Sequence, residues 1–244
     1  MGIGIGAVHW AKTLMPDAEV SEDRHPARGS EEVRAKAVEI IKLANSESGF
    51  SRRKLIRRSM YGALAFFPLP AVLLFGDLGP NPGDTLRHTM WKKGTRLAID
   101  PTGVPIKAAD ITLGSVFHVI PEGLAELKKH KLEEKAKAAV LLIRLNPADL
   151  IESEERKTWS YDGIVAYSKI CTHVGCPVAL YEQLTHNLLC PCHQSTFDVT
   201  DACKVVFGPA ARPLPQLPIT VDAEGYLIAQ SDFTEPVGPS FWER

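Results

Sequence analysis

The sequence lacks an excess of charge of either sign and has few cysteines, and each shortage excludes a class of protein. Lys and Arg together number 28 and Asp and Glu number 29, so the formal net charge is −1. A nearly neutral chain without a basic stripe offers nucleic acid no attraction, so we expect no DNA or RNA partner. Five cysteines among 244 residues are too few for a disulfide scaffold.

One uncharged apolar run, Met60 to Gly76, is predicted to cross a membrane as a helix. At about 1.5 Å per residue it extends roughly 26 Å, near the lower limit for a bilayer. Pro68 and Pro70 are expected to kink it and to require partner helices around it. Five Lys and Arg residues between Arg52 and Arg58 place that side in the cytoplasm by the positive-inside rule. A buried helix of a soluble protein is the alternative.

The residues before this run resemble a twin-arginine signal, with the order Ser51-Arg52-Arg53 followed one residue later by Leu55. Such a signal exports proteins in the folded state. No small-residue cleavage site of the usual form follows the run, so residues 59–77 are predicted to stay as a membrane anchor.

Residues 1–58 are predicted to form a cytoplasmic segment with one amphipathic helix. From Ser30 to Ala44 the apolar residues recur at helical spacing, and Ser30 is the expected N-cap. The sequence leaves open whether the apolar stripe lies on a membrane, on a partner subunit or against its own chain. Residues 1–10 are typical of the end of an upstream membrane span, with Trp10 at the interface; an ordinary N-terminus is the alternative.

Residues 78–90 are rich in Gly and Pro and are predicted to be a hinge. Residues 91–244 are predicted to be a mainly β domain, because short apolar runs alternate with turns, which favours an antiparallel β-sandwich. The strands are expected at 96–99, 116–120, 139–145, 163–168, 188–189, 205–207, 219–221 and 226–229. One exposed helix is predicted as an insertion, from Glu122 to Ala138.

Two short segments hold four of the five cysteines. They are Cys171-Thr172-His173-Val174-Gly175-Cys176 and Cys190-Pro191-Cys192-His193-Gln194-Ser195-Thr196-Phe197. Each offers one Cys and one His close enough to bind the same metal centre. Structural zinc also takes two Cys and two His, but here each segment supplies a mixed pair, and two further cysteines exceed a tetrahedral shell. Both features disfavour zinc.

This pattern resembles the Rieske iron–sulfur proteins, whose [2Fe–2S] cluster has two Cys and two His ligands. The resemblance implies one cluster per chain, with Cys171 and Cys190 on one iron and His173 and His193 on the other. A weaker match, residues 208–213, is similar to the proline-rich loop that covers the cluster in this family. The cluster-binding subdomain is then expected at about residues 165–215.

The resemblance further implies a disulfide between Cys176 and Cys192, which fits an oxidising, extracytoplasmic location. Ser195, Phe197 and Pro209 are expected beside the cluster, with the Ser195 hydroxyl donating a hydrogen bond to a cluster sulfur. Phe197 stands where high-potential members have a Tyr. The missing hydroxyl predicts a lowered potential, suited to a low-potential quinol such as menaquinol.

His173 and His193 are the expected catalytic residues. Two neutral imidazoles in place of two thiolates make an added electron easier to accept. Their outer ring nitrogens stay free to bind protons, and an added electron favours the protonated form. A group that takes up an electron and a proton together is suited to a quinol hydroxyl.

The resemblance therefore implies a Rieske subunit of an actinobacterial-like cytochrome bc complex, a quinol:cytochrome c reductase. Cytochrome b and cytochrome c subunits are the implied partners, in a dimeric complex that could join a terminal oxidase in a supercomplex. One alternative is the small Rieske subunit of an exported oxidase such as arsenite oxidase, which the long segment before the anchor disfavours. Another is the ferredoxin of a ring-hydroxylating dioxygenase, which generally lacks the Cys176 and Cys192 pair.

Overall fold

A computed structural model of the chain describes residues 2–16, 18, 28–76 and 83–239. Residues 1, 17, 19–27, 77–82 and 240–244 lie outside the described residues, so each of the four predicted segments is described only in part. The helices are α1 (Gly2–Thr13), α2 (Glu31–Ser48), α3 (Lys54–Phe66), α4 (Leu69–Phe75) and α5 (Lys131–Ala138). The strands are β1 (Leu97–Ile99), β2 (Val116–Pro121), β3 (Val140–Arg144), β4 (Ile164–Ser168), β5 (Leu180–Glu182), β6 (Asn187–Leu189), β7 (Thr196–Asp198), β8 (Lys204–Phe207), β9 (Ile219–Val221) and β10 (Leu227–Ala229).

The predicted amphipathic helix is present as α2. The Ser30 side chain caps it by accepting a hydrogen bond from the Val33 N–H at 3.3 Å. Gly49 ends it in the left-handed conformation, with its N–H donating to the Asn45 carbonyl. No residue of α2 is buried, so the described part of the chain does not cover its apolar stripe.

The predicted membrane helix is present with an interruption. Residues Lys54–Phe75 form a helical segment of 22 residues, long and apolar enough to cross a membrane, and none of its apolar window is buried. The regular helix breaks between α3 and α4, at Phe67 and Pro68. A proline there has no N–H to donate and clashes with the preceding turn, so the interruption falls where a kink was expected, and a change in the direction of the helix stays a prediction.

Three antiparallel sheets form the rest of the described chain, in the strand orders β1-β2-β3-β4, β9-β10 and β5-β6-β7-β8. The predicted antiparallel pairing is confirmed. The description of the fold as mainly β holds only for the part after the hinge, because helices make up about a third of the chain overall. Strands β5 and β7 are additional to the eight predicted strands.

Strands β3 and β4 are buried on both faces, and this positions the candidate site. Because side chains alternate along a strand, Val140 and Ala166 join one apolar cluster with β9 and β10. Leu141 and Tyr167 face the other way and join a second cluster, which includes both Cys171 and Cys190. The two cysteine segments therefore pack on this second face of the central strands.

The predicted helix from Glu122 to Ala138 is wrong in its first half. Only a single 3-10 turn, Leu124–Glu126, precedes α5. Leu127 is extended and His130 has a left-handed φ of 56°, and neither conformation continues a helix. Leu124 is fully buried in the core, so packing of one apolar side chain, rather than helical periodicity, fixes this stretch.

Candidate metal centre

Two loops with the same backbone turn carry the candidate ligands: loop 1 is residues 171–176 and loop 2 is residues 190–197. In loop 1 the Cys171 N–H donates to the carbonyl five residues later at 2.8 Å, and the N–H four residues later donates back to the Cys171 carbonyl at 3.0 Å. In loop 2 the same two bonds surround Cys190, each at 2.9 Å. The two loops therefore hold Cys171 and Cys190 at equivalent positions.

Each turn needs one residue in the left-handed conformation. That residue is Gly175 in loop 1, with φ of 85°, and Gln194 in loop 2, with φ of 60°. Glycine adopts this conformation without a steric penalty, whereas a residue with a Cβ does not. The left-handed conformation thus gives Gln194 a structural role that its residue type did not indicate.

The predicted histidine ligands face one another. The ring centroids of His173 and His193 are 4.8 Å apart and their planes are nearly perpendicular, at 86°. The Nδ1 atom of His173 is buried and has no hydrogen-bond partner in the described part of the chain. A buried ring nitrogen without a partner is costly unless something else binds it, and a metal ion is a suitable group.

The cysteine sulfurs converge on the same place. All five cysteines are free thiols in this structure, and the sulfurs of Cys176, Cys190 and Cys192 lie within 4.8 Å of one another. Burial raises the pKa of the Cys171 thiol to about 11; contact with Cys190 adds to the rise, and the Ser195 hydroxyl opposes it. A hydrogen bond with Cys176 raises the pKa of the Cys192 thiol to about 11.

A third loop, residues 208–213, is bonded to both of the others. The Ala210 N–H donates to the Ser195 hydroxyl oxygen of loop 2 at 3.1 Å. The Thr172 hydroxyl of loop 1 donates to the Arg212 carbonyl at 2.7 Å. The third loop therefore links the two loops that carry the candidate ligands.

The start of the third loop fits closely against loop 2. Gly208 has φ of 84°, and a Cβ at this position would lie 2.6 Å from the Cα of Ser195, so only glycine allows this approach. Pro209, which follows, is exposed. Ser195 and Phe197 are fully buried, and Phe197 packs in the same apolar cluster as the two equivalent cysteines.

Comparison with known proteins agrees with this arrangement. Residues 139–218 match the family described as the Rieske [2Fe-2S] domain, and residues 1–106 match the QcrA subunit N-terminal region. The cytochrome bc1 complex Rieske iron-sulfur subunit of Streptomyces coelicolor is 56% identical over 242 residues, covering 99% of this chain and 68% of that protein. The corresponding subunits of Mycobacterium tuberculosis and Corynebacterium diphtheriae are each 35% identical, covering 100% of this chain and 65% and 73% of theirs.

The chain belongs to the family of cytochrome bc1 complex Rieske iron-sulfur subunits. The match of its second half to the Rieske domain makes a [2Fe–2S] cluster its cofactor. The residues present fit this group, because two thiols and two imidazoles are the donors that a Rieske cluster needs. The buried Nδ1 atom of His173, which has no hydrogen-bond partner among the described residues, is one such donor.

The ligand roles of Cys171, His173, Cys190 and His193 stay a prediction, as does the disulfide between Cys176 and Cys192. The structure brings these side chains into one region of the Rieske loops. The closest group of three sulfurs, however, combines Cys190 with the expected disulfide pair. Proximity alone therefore does not divide the four cysteines into two ligands and one disulfide.

Sequence reasoning missed the residues that hold the Rieske loops together. Thr172 lies between a candidate Cys ligand and a candidate His ligand, yet its hydroxyl bonds to the third loop. Arg212 was visible only as one residue of the weaker third match. Neither carries a signal in spacing or residue type, because a hydrogen bond to a distant backbone carbonyl leaves no local pattern.

Proposed function

We propose that His173 and His193 form the face at which this Rieske subunit meets quinol. As a subunit of the cytochrome bc1 complex, a quinol:cytochrome c oxidoreductase, the chain mediates electron transfer from quinol to cytochrome c. When bound, the [2Fe–2S] cluster supplies a one-electron acceptor, and its two imidazole ligands make it easier to reduce. The observation that carries the proposal is the close pairing of the two imidazole rings, one of them solvent-exposed.

The exposed ring of His193 is suited to bind the substrate. In the proposed assignment one ring nitrogen of His193 is the ligand of the cluster. The other ring nitrogen is left to accept a hydrogen bond from a quinol hydroxyl and to take its proton. Val174, half exposed, follows His173 in loop 1, and the exposed Pro191 and Pro209 lie in loop 2 and in the third loop. They offer an apolar rim for the quinol-binding cytochrome b subunit and exclude water from the donor.

We propose further that Cys176 and Cys192 form a disulfide that pins loop 1 to loop 2. Their sulfurs lie within 4.8 Å of each other, and the two cysteines belong to the two different loops. A disulfide is stable in an oxidising compartment. This is consistent with a Rieske domain on the extracytoplasmic side of the membrane.

The proposed topology has four parts. Residues 1–58 lie in the cytoplasm, residues 59–77 cross the membrane, residues 78–90 form a hinge, and residues 91–244 form a β-sandwich Rieske domain outside. The exposed apolar helix Lys54–Phe75 supports the anchor, and the basic residues before it support the orientation. The assembly is proposed to be a dimer with cytochrome b and cytochrome c subunits, extended to a supercomplex with a terminal oxidase, and to oxidise menaquinol.

The experiment compares Cys190→Ser with Cys203→Ala in the full-length chain, in cells whose own copy is deleted. Cys203 is also buried but lies outside the three loops, so it is the matched control. We expect membranes with Cys190→Ser to lose quinol:cytochrome c reductase activity while the copurifying b and c hemes remain. Activity that survives Cys190→Ser, or a purified wild-type chain without b and c hemes, would contradict the proposal.

A further inference from the structure

Residues 232–239, called here the C-terminal strap, are attached to the third loop by one arginine. The guanidinium of Arg212 donates through Nη2 to the carbonyls of Pro236, at 2.5 Å, and Gly238, at 2.7 Å. Its Nη1 lies 3.7 Å from the Glu235 carboxylate, and the side chain is only 12% exposed. The rigid fork of a guanidinium suits such multiple contacts.

The backbone around Arg212 reaches the two ligand-bearing loops. The Arg212 carbonyl accepts the hydroxyl hydrogen of Thr172, the residue between Cys171 and His173. Two residues earlier in the third loop, the Ala210 N–H bonds to Ser195, two residues after His193. The side chain of Arg212 therefore holds the strap, while its loop holds loops 1 and 2.

The strap is itself fixed at both ends. At its start Asp232 accepts hydrogen bonds from the Thr89 N–H, at 2.8 Å, and the Thr89 hydroxyl, at 2.6 Å. Further on, the Val237 N–H donates to the Leu86 carbonyl at 2.9 Å. At its end Pro239 packs against loop 1, so close that a Cβ on Gly175 would lie 3.4 Å from the proline ring.

We propose that Arg212 is a positioning residue that holds the third loop closed over the cluster-binding loops by anchoring it to the C-terminal strap. The inference rests on the proposed placement of the cluster between loops 1 and 2. Without the guanidinium, the third loop keeps its own bonds to Thr172 and Ser195 but loses its attachment to the strap. The loops then open more often and admit water and chelators to the cluster.

Arg96 provides a matched control for the loss of a paired arginine. It bonds to Asp222 at 2.7 Å and to Glu224 at 2.8 Å, with a side chain 30% exposed. Both carboxylates lie in the turn between β9 and β10, away from loops 1 and 2 in the chain. Replacing Arg96 removes a comparable set of charge-assisted contacts without touching the third loop.

The test measures how fast the cluster is lost from the purified complex, as bleaching of its visible absorbance in the presence of a chelator. We expect Arg212→Gln to bleach roughly tenfold faster than wild type, the equivalent of one lost charge-assisted hydrogen bond, and its reduced-state EPR lines to broaden. Arg212→Lys should recover part of the loss. Arg96→Gln should match wild type. The inference would be overturned if Arg212→Gln bleached at the wild-type rate, or if Arg96→Gln bleached as fast as Arg212→Gln.

A second arm combines Arg212→Gln with deletion of residues 235–244, which removes Glu235, Pro236 and Gly238, the groups that Arg212 contacts in the described part of the strap. The deletion also removes Pro239 from loop 1, so it should bleach at least as fast as Arg212→Gln. If Arg212 acts through the strap, the double variant should bleach no faster than the deletion alone. Additive effects would overturn the inference. A wild-type complex without the cluster spectrum would instead refute the proposed function, so the two failures are distinguishable.

Discussion

At the residue scale, loops 1 and 2 differ in how well their sequences suit the same turn. Both require a residue in the left-handed conformation four residues after the candidate Cys ligand. Loop 1 has Gly175 at this position and loop 2 has Gln194. A residue with a Cβ pays about 1–2 kcal/mol in this conformation. Loop 2 is therefore locally strained, and its hydrogen bonds to Cys190 and to the third loop hold it in place.

This difference predicts opposite effects for two substitutions. Gln194→Gly should raise the free energy of unfolding by up to about 1 kcal/mol, because the steric penalty disappears. Gly175→Ala should lower it by about 1 kcal/mol or more, because it adds a Cβ at a φ of 85° and against Pro239. Denaturant unfolding of the purified protein checks both. Changes of the same sign in the two variants would contradict the account.

The potential should respond to a hydroxyl at position 197. Phe197 is fully buried in the same apolar cluster as Cys171 and Cys190. In Phe197→Tyr a phenol donating to a ligand sulfur stabilises the reduced form, so the midpoint potential should rise by roughly 40 mV, the equivalent of one neutral hydrogen bond. Redox titration followed by EPR measures it. Tyr181→Phe, which removes a hydroxyl bonded to His186, is the control, and an unchanged potential in Phe197→Tyr would refute the role.

At the element scale, the sequence predicted eight strands from their apolar runs and missed two short strands, β5 and β7, that contain no such run. Strand β5 is exposed at both of its ends, so no apolar run marks it. Strand β7 begins inside loop 2 and holds a single buried apolar residue, Phe197, between two half-buried polar ones. Pairing creates both strands: β5 pairs with β6, and β7 pairs with both β6 and β8. The sequence did not indicate the C-terminal strap either, because the strap is held by isolated hydrogen bonds and not by regular secondary structure.

The predicted hinge also depends on contacts that the sequence does not show. Its Gly and Pro content indicated a connector over residues 78–90. The structure ties Leu86 and Thr89 to the C-terminal strap, and Trp91 is buried in the core. A hinge motion, which stays a prediction, must therefore take place before Leu86.

Strand β2 carries a pH-sensitive residue. Burial lowers the pKa of His118, the nearby Lys169 lowers it further and Asp100 opposes both, while the buried Nδ1 atom has no partner in the described part of the chain. The folded state favours neutral His118. Its stabilising contribution is therefore present above about pH 6.5, the ordinary value for histidine, and is lost as the pH falls below it.

Thermal unfolding between pH 8 and pH 5 tests this contribution. The unfolding midpoint of wild type should fall more steeply below about pH 6.5 than that of His118→Gln, which has no titrating group at this position. His88→Gln is the control, since the His88 side chain is 77% exposed. Parallel curves for wild type and His118→Gln would show that His118 does not contribute.

At the scale of the whole molecule, the orientation in the membrane determines which compartment the cluster faces. The basic residues here comprise the twin-arginine pair, Arg52 and Arg53, which precedes α3, and two further arginines in its first turns, Arg57 and Arg58. Replacing Arg52 and Arg53 with Lys keeps the charge but removes the pair, so the Rieske domain should stay inside and resist protease added to spheroplasts. Replacing Arg57 and Arg58 with Lys is the control, and in that variant the added protease should still digest the Rieske domain. Normal export of the first variant would contradict the proposed route.

The central claim is that two imidazoles and two thiolates from the equivalent loops hold one binuclear iron cluster. Pulsed EPR of the reduced, anaerobically purified complex tests it most directly, because nitrogen ligands couple magnetically to the unpaired electron. We predict a [2Fe–2S] signal coupled to two nitrogens, with the coupling and the signal lost together in His173→Ala and His193→Ala. A reduced protein without iron, or an iron–sulfur signal without nitrogen coupling, would contradict the account.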